Sequence, residues 1–361
     1  MKRGRGYSSL LYISFILLVV VVIIYNVFGN SSSKYKSKTE LEEKFLIPKG
    51  FYYVGGTVES GIVISDNKED ENKGTDYDTA KDLIGNQFVW VPVNNCTVKN
   101  ASEISTELAL DNYPIALKNN GNDDYIGLLY KLAFKDNREP YFKQFKGQSQ
   151  NDEEQNREPA ILTLSKYGDS EDLILNSTKG LYQDSFNKMI NSVKKNKGFY
   201  VSRYEIGNLH GDKPVSKANQ SDISNMCWID GYKQIKTMYN SKNVSAEMLW
   251  GCQYDAIMIW MYNSDDVREK YFVENTDSVC NRSKNIMPTA NSESYGQKNI
   301  YDLIGNVYEF TQEAAYRSSR ICRGGSYDYE STSSANNMLI REQRGITNGY
   351  PNVGFRAYLL F

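Results

Sequence analysis

Residues 10 to 28, LLYISFILLVVVVIIYNVF, contain no charged side chain. As a helix rising about 1.5 Å per residue the run covers roughly 28 Å, close to the roughly 30 Å hydrocarbon layer of a bilayer. So long an apolar run divides the chain before any fold is considered. Residues 1–29 read as a membrane anchor or signal, residues 30–45 (NSSSKYKSKTELEEKF) as a polar stalk, and residues 46–361 as the folded domain. Lys2, Arg3 and Arg5 precede the span, while Lys34, Lys36 and Lys38 follow it and nearly cancel the positive-inside bias. Because the span comes first in the manner of an export signal, the expected location is the cell membrane, single-pass, with the C-terminal domain outside the cytoplasm. Cleavage near Val27 and Gly29 would instead give a secreted domain.

Composition removes several classes of function. Lys and Arg number 42 against 44 Asp and Glu, with no basic run beyond the N-terminus, so no nucleic-acid partner is expected. His210 is the single histidine, which excludes His-rich iron and zinc centres. The five cysteines are odd in number and contain no CxxC spacing, which argues against a zinc site and against a dense disulfide framework while leaving room for one or two bridges.

The pattern along the domain is α+β. FYYVGGTVESGIVIS reads as a strand, a tight bend at Gly55 and Gly56, and a second strand. The acidic stretch SDNKEDENKGTDYD (65–78) reads as a solvated loop, and residues 100–160 as a polar insertion. Phe186, Met189, Ile190 and Val193 recur at helical spacing behind Asp184 and Ser185, with Gly198 as the stop. GFYVSRYEIGN (198–208) predicts a strand. WIDGYKQIKTMY (228–239) and SAEMLWGCQYDAIMIWMY (245–262) predict helices, the second with Leu249, Ile257, Trp260 and Met261 toward a core. Short strands and turns follow Tyr301. Two or three helices among many brief strands, without βαβ alternation, exclude a doubly wound sheet.

One pentapeptide occurs twice. DLIGN stands at Asp82 to Asn86 and again at Asp302 to Asn306, each time followed by a run with an aromatic at every second place. The second copy continues into NVYEFT, and ICRGGSY and NVGFRAYL come after it. This order resembles the signature series of the formylglycine-generating enzyme (sulfatase-modifying factor) family, a GN[VA]WEW unit, an RGGS[WY] unit and a terminal GFR unit. GFYVSRYEIGN, KPVSKANQSDISNMCWID and VSAEMLWGCQYDA resemble earlier landmarks of that family more loosely. The resemblance covers about residues 46–361 and implies a variant of the C-type lectin fold: loop-rich, with short twisted sheets and two or three helices.

The resemblance separates scaffold from chemistry. In the catalytic branch two cysteines follow the GGS unit and bind copper, whereas GGSYDYESTSS has Tyr329 and Ser334 at those places and keeps Ser326. A phenol and a hydroxyl are hard ligands unsuited to Cu(I). Copper is therefore not expected, and iron is not expected either, because the related iron enzymes draw histidines from a separate domain. The family's calcium site maps onto the second DLIGN copy: Asp302, the carbonyls of Gly305 and Val307, and Glu309. In an extended run groups two apart face one way, so oxygens at 305, 307 and 309 can converge on a hard cation. The alternative is that Asp302 caps a turn and Glu309 pairs with an arginine such as Arg341. The first copy has Val89 where Glu309 would stand and reads as structure alone.

The stretch from Ser326 to Pro351 is rich in Tyr, Ser, Asn and Asp, the residues that binding surfaces favour. Ser326, Tyr327, Tyr329, Ser334 and Arg341 are the candidate ligand contacts. The expected function is a membrane-tethered, surface-exposed binding or adhesion protein on a catalytically inactive scaffold, with an extracellular protein or glycan as partner. The alternative is a divergent oxidoreductase-like enzyme of the same family with Ser326, Tyr329 and Arg341 in its cleft. The full chain should sediment with membranes, and removal of residues 1–30 should release a soluble folded domain. A cytosolic full chain together with an insoluble truncation would overturn the assigned topology.

Overall fold

The computed structural model describes residues 47–93, 188–189, 191–193, 195–239, 241, 243–262, 280–316, 319–328 and 342–361, with backbone alone at 252, 255, 259, 262 and 313–316. The expected span, stalk and insertion at 100–160 lie outside them. Among the described residues no helix is long and apolar enough to cross a membrane.

The architecture is mixed α+β. Strand β3 (Gln87–Pro92) is buried along its whole length, as a strand covered on both faces must be. It lies inside a six-stranded antiparallel sheet in the order β1 (Tyr52–Gly55), β2 (Val63–Ser65), β3, β4 (Gly198–Ser202), β12 (Ala357–Leu360), β5 (Ser245–Met248). A second sheet runs β10 (Glu342–Gly345), β9 (Ser319–Arg323), β8 (Tyr308–Tyr316), β11 (Val353–Phe355), with β11 parallel to β8. Strands β6 (Gly296–Gln297) and β7 (Ile300–Tyr301) form a two-stranded ribbon. The expected β1–β2 hairpin forms, and Gly56 turns its corner at φ 85°.

Two helices flank these sheets. In Trp228–Ile235 the rings of Trp228 and Tyr232, one turn apart, stack at 5.0 Å, and the indole N–H donates to the Thr311 carbonyl at 2.9 Å. In Gly251–Tyr262 the residues expected to face a core do so: Ile257, Trp260 and Met261 are buried, as is Leu249 ahead of the helix.

That second helix starts later than the sequence suggests. Ser245–Met248, with helix-forming residues, is instead strand β5, because β12 offers an open edge and backbone pairing from Ala357↔Met248 to Leu360↔Ser245. Tertiary pairing outweighs a weak local propensity. The helix begins only where Gln253 reaches back to accept the Trp250 N–H at 3.1 Å, half of a capping box.

The stop expected at Gly198 is also relocated. Residues 188–196 are helical where described, with Met189 and Val193 buried, and the chain leaves the helix at Lys197 (φ 65°), whose N–H donates to Val193 O at 2.8 Å. Gly198 is already the first residue of β4, and a Cβ there would strike the Trp90 ring and the Val91 carbonyl on β3. Gly198→Ala should therefore destabilise the domain by about 1–3 kcal/mol through overpacking. Lys197→Gly relieves a left-handed residue and should be neutral or stabilising by up to about 1 kcal/mol. Denaturant unfolding of the two variants checks this; equal losses would mean that Gly198 serves the helix end after all.

Candidate functional site

The DLIGN repeat is one bonding role built on two backbones. In the first copy exposed Asp82 closes the helix Tyr77–Asp82 and Leu83 is extended. In the second, Asp302, Gly305 and Asn306 are left-handed (φ 56°, 76° and 54°) and Asp302 is buried. The asparagines nevertheless do the same work. Asn86 donates its amide to Asp66 at 2.8 Å and accepts the Ser216 N–H at 2.9 Å. Asn306 donates to Glu205 at 2.6 Å and accepts the Met287 N–H at 2.9 Å. In each copy the same distant carboxylate also takes a backbone N–H: Asp66 that of Asn86 at 2.7 Å, Glu205 that of Val307 at 3.1 Å.

The acidic stretch after β2 is thus not simply solvated. Asp70 is fully buried and accepts from Ser65 Oγ, Ile84 N and Gly85 N, while Asp66 holds Asn86 and the Tyr239 hydroxyl. The turn's orphan N–H groups need acceptors once buried, and these two carboxylates supply them.

The second copy adds a charged centre. Glu309 on β8 does pair with an arginine, Arg356; Arg341 lies outside the described residues. Arg356 Nε donates to both Glu309 oxygens (2.9 and 3.0 Å) and Nη2 to Oε1 (2.5 Å). The same guanidinium donates to Ser202 O and Tyr301 O, each at 2.9 Å. Both partners are almost completely buried. Breaking a buried pair of this kind by removing one partner costs about 3–5 kcal/mol.

Asp302 and Glu205 stand in the same field. Asp302 Oδ2 accepts the Ala290 N–H at 2.6 Å, whereas its Oδ1 is buried with no partner. Burial, then the charge of Glu309, pushes the Asp302 carboxyl up to about 7 against the opposing pull of the Ala290 N–H and Arg356. Burial also raises Glu205, helped by the charges of Asp302 and Glu309. Of the expected calcium ligands, Asp302 keeps one oxygen without a partner, whereas both oxygens of Glu309 are taken by Arg356. Among the described residues no group of three or more His, Cys, Asp and Glu is arranged to hold a metal.

The RGGS unit meets this centre through the backbone. Gly305 N donates to Gly324 O and Tyr327 N to Asn306 O, each at 2.8 Å. Ser326 is fully buried and its hydroxyl donates to Asp328 at 2.6 Å; exposed Asp328 in turn accepts from the Asn352 amide at 3.1 Å. Tyr327 is half-buried. Tyr329 and Ser334 lie outside the described residues, as Arg341 does. Cys227 and Cys322 are free thiols. Sequence reasoning missed Glu205 and Arg356 as partners, although both lie in quoted units, EIGN and NVGFRAYL: spacing does not show which carboxylate an arginine will meet.

No family model matches the chain, and no curated protein matches it. Among solved structures it is similar to Treponema denticola variable protein 1 (11% identity, 45% of this chain and 85% of that one, TM-score 0.34). It is likewise similar to CarF (11%, 45% and 87%, TM-score 0.34) and to PvdO from Pseudomonas aeruginosa (12%, 46% and 82%, TM-score 0.33). Each likeness is partial and at low identity.

The carboxyl group of Asp302 makes a signed prediction. Its folded pKa of about 7 lies above its ordinary 3.8, so its contribution to stability is complete below about pH 3.8 and is lost as pH rises through 7. At about 1.4 kcal/mol per unit the loss is at most about 4 kcal/mol. Asp302→Asn should remove that part of the slope and leave a shallower fall from Glu205. Identical pH profiles for wild type and variant would sink the assignment.

Proposed function

We propose that the domain is a formylglycine-generating-enzyme-like variant of the C-type lectin fold that has lost its copper chemistry, is tethered outside the membrane, and displays a ligand-binding segment. The observation that carries this reading is the connection between β9 and β10. Cys322 pairs directly with Glu342, so residues 323–341 stand between two directly paired positions. An ordinary hairpin uses about two to five residues, and long connections inside compact domains are usually functional. This one holds Tyr327, Tyr329, Ser334 and Arg341. Its near end is anchored by Ser326, Asp328 and Asn352, and by the bond from Tyr327 to Asn306. A long segment pinned to a rigid sheet is how scaffolds present recognition residues.

Two further points support the reading. The three signature units bond to one another: Gly305 to Gly324, Asn306 to Tyr327, Glu309 to Arg356. The two positions that would bear copper thiolates are Tyr329 and Ser334. Calcium belongs to the proposal through Asp302 Oδ1 and the carbonyls of Gly305 and Val307. At millimolar calcium such a site would add about 1 kcal/mol. It is read with Asp302→Asn, since Glu309→Gln breaks the Arg356 pair whether or not calcium binds.

The test replaces residues 329–340 by a short Gly-Ser link in the full chain and compares arrays of glycans and extracellular proteins. The expected result is that wild type binds a defined ligand, that the variant does not, and that both melt within a few degrees of each other. Equal binding by both would place recognition elsewhere. Oxygen-dependent oxidation of cysteinyl peptides by the wild type, abolished in the variant, would favour the enzyme.

A further inference from the structure

A recess lies at the edge of the six-stranded sheet. Where β12 ends and β5 begins, a cavity of 440 Å³ is lined by Lys188, Asn191, Ser192 and Lys195 on one side and by residues 241, 243–245 and 360–361 on the other. Its size falls within the roughly 300–1,000 Å³ of small-molecule sites. The first four residues follow i, i+3, i+4, i+7 spacing and so share one helical face. Ser192 ties that face to the sheet by donating to Phe361 O at 3.1 Å, and Asn196 donates to Ser192 at 3.1 Å. Opposite, Ser241 closes a turn with Val244 by accepting the Val244 N–H at 3.0 Å. Both walls are therefore fixed by the fold.

The lining side chains carry charge of one sign, and the Phe361 carboxylate at the edge is held by Ser192 and Asn196. No carboxylate side chain lines the cavity, and among the described residues Lys188 and Lys195 form no ion pair. A third cation stands behind them. Lys236, bonded to the Tyr232 hydroxyl at 2.8 Å, feels the charge of Lys188, and the carboxylate that reaches it, Glu247, is buried and bonded to the Tyr358 hydroxyl. Lys188 and Lys195 lie two turns apart, about 10 Å along the axis, with the Asn191 amide and Ser192 between. A single inorganic anion is too small to use this arrangement. A ligand that does so carries negative charges about 10 Å apart and hydrogen-bonding groups between them. Val244, Leu360 and Phe361 add an apolar wall, and the Phe361 ring is steadied by Tyr200 at 5.8 Å.

We infer that this cavity is a binding site for an acidic carbohydrate, a disaccharide or longer chain bearing carboxylates. Its ring hydroxyls meet Asn191, Asn243 and Ser245, the C–H face of one ring lies on Phe361, and its carboxylates meet the two lysines. Lysine suits the role because its compact ammonium accepts a carboxylate from many directions. None of the lining residues belongs to the segment between β9 and β10, and the inference does not depend on what that segment binds.

The experiment uses the full chain in detergent and calorimetric titration with digalacturonate, with uncharged galactobiose and sodium sulfate as comparisons. Digalacturonate should bind measurably below about 10 mM, weaken as salt rises through the screening range, and bind the Lys188→Gln, Lys195→Gln double variant roughly fivefold to tenfold less tightly. The variant lacking residues 329–340 should bind it as wild type does. The inference is overturned by equal affinity for galactobiose, by an unaffected double variant, by full competition from equimolar sulfate, or by no binding at about 10 mM.

Discussion

The Arg356 guanidinium holds the domain's three sheets to one point. Its own residue is the single step between β11 and β12, where the chain passes from the four-stranded sheet to the six-stranded one. Its donors go to Glu309 on β8, Ser202 on β4 and Tyr301 on β7, one strand from each sheet. A guanidinium buried this deeply is stable only if each N–H has an acceptor, so the three strands cannot shift independently. The placement of Asn306, Gly324 and the β9–β10 connection follows from that junction, since all are bonded to the run that carries Glu309.

The same junction concentrates charge. Glu205, Asp302 and Glu309 are buried in the field of one guanidinium, and three carboxylates against one cation cannot all ionise cheaply in a buried setting. Two outcomes relieve the excess: a retained proton or an added cation. The raised carboxyl of Asp302 is the first of these.

How much of this was legible in the sequence depended on whether partners were near in the chain. The β1–β2 hairpin and the buried face of the helix at 251–262 were readable because periodicity and glycines are local signals. The DLIGN repeat was visible at once, but not that its asparagine is the shared element, because Asp66 and Glu205 reach it from other segments. Ser245–Met248 looked helical until β12 claimed it. Gly198 looked like a helix stop, while the residue that bends the chain is Lys197 and the glycine is required by the indole of Trp90. Arg356 was quoted as part of a motif, and Glu309 was given an arginine, but which arginine was set by the parallel pairing of β11 with β8.

The direct rung between Cys322 and Glu342 has a consequence for how such a protein can change over generations. Sheet register there is settled by Ile321, Cys322, Glu342 and Gln343, none of which belongs to the intervening segment. Lengthening a flexible closed segment is inexpensive, about 0.6 kcal/mol for each doubling. Insertions and rewriting beyond Asp328, within residues 329–341, spare the anchors at 323–328 and the pairing on either side. The fold thus separates what must be inherited unchanged from what can diversify freely, and it confines the second to one stretch of the gene.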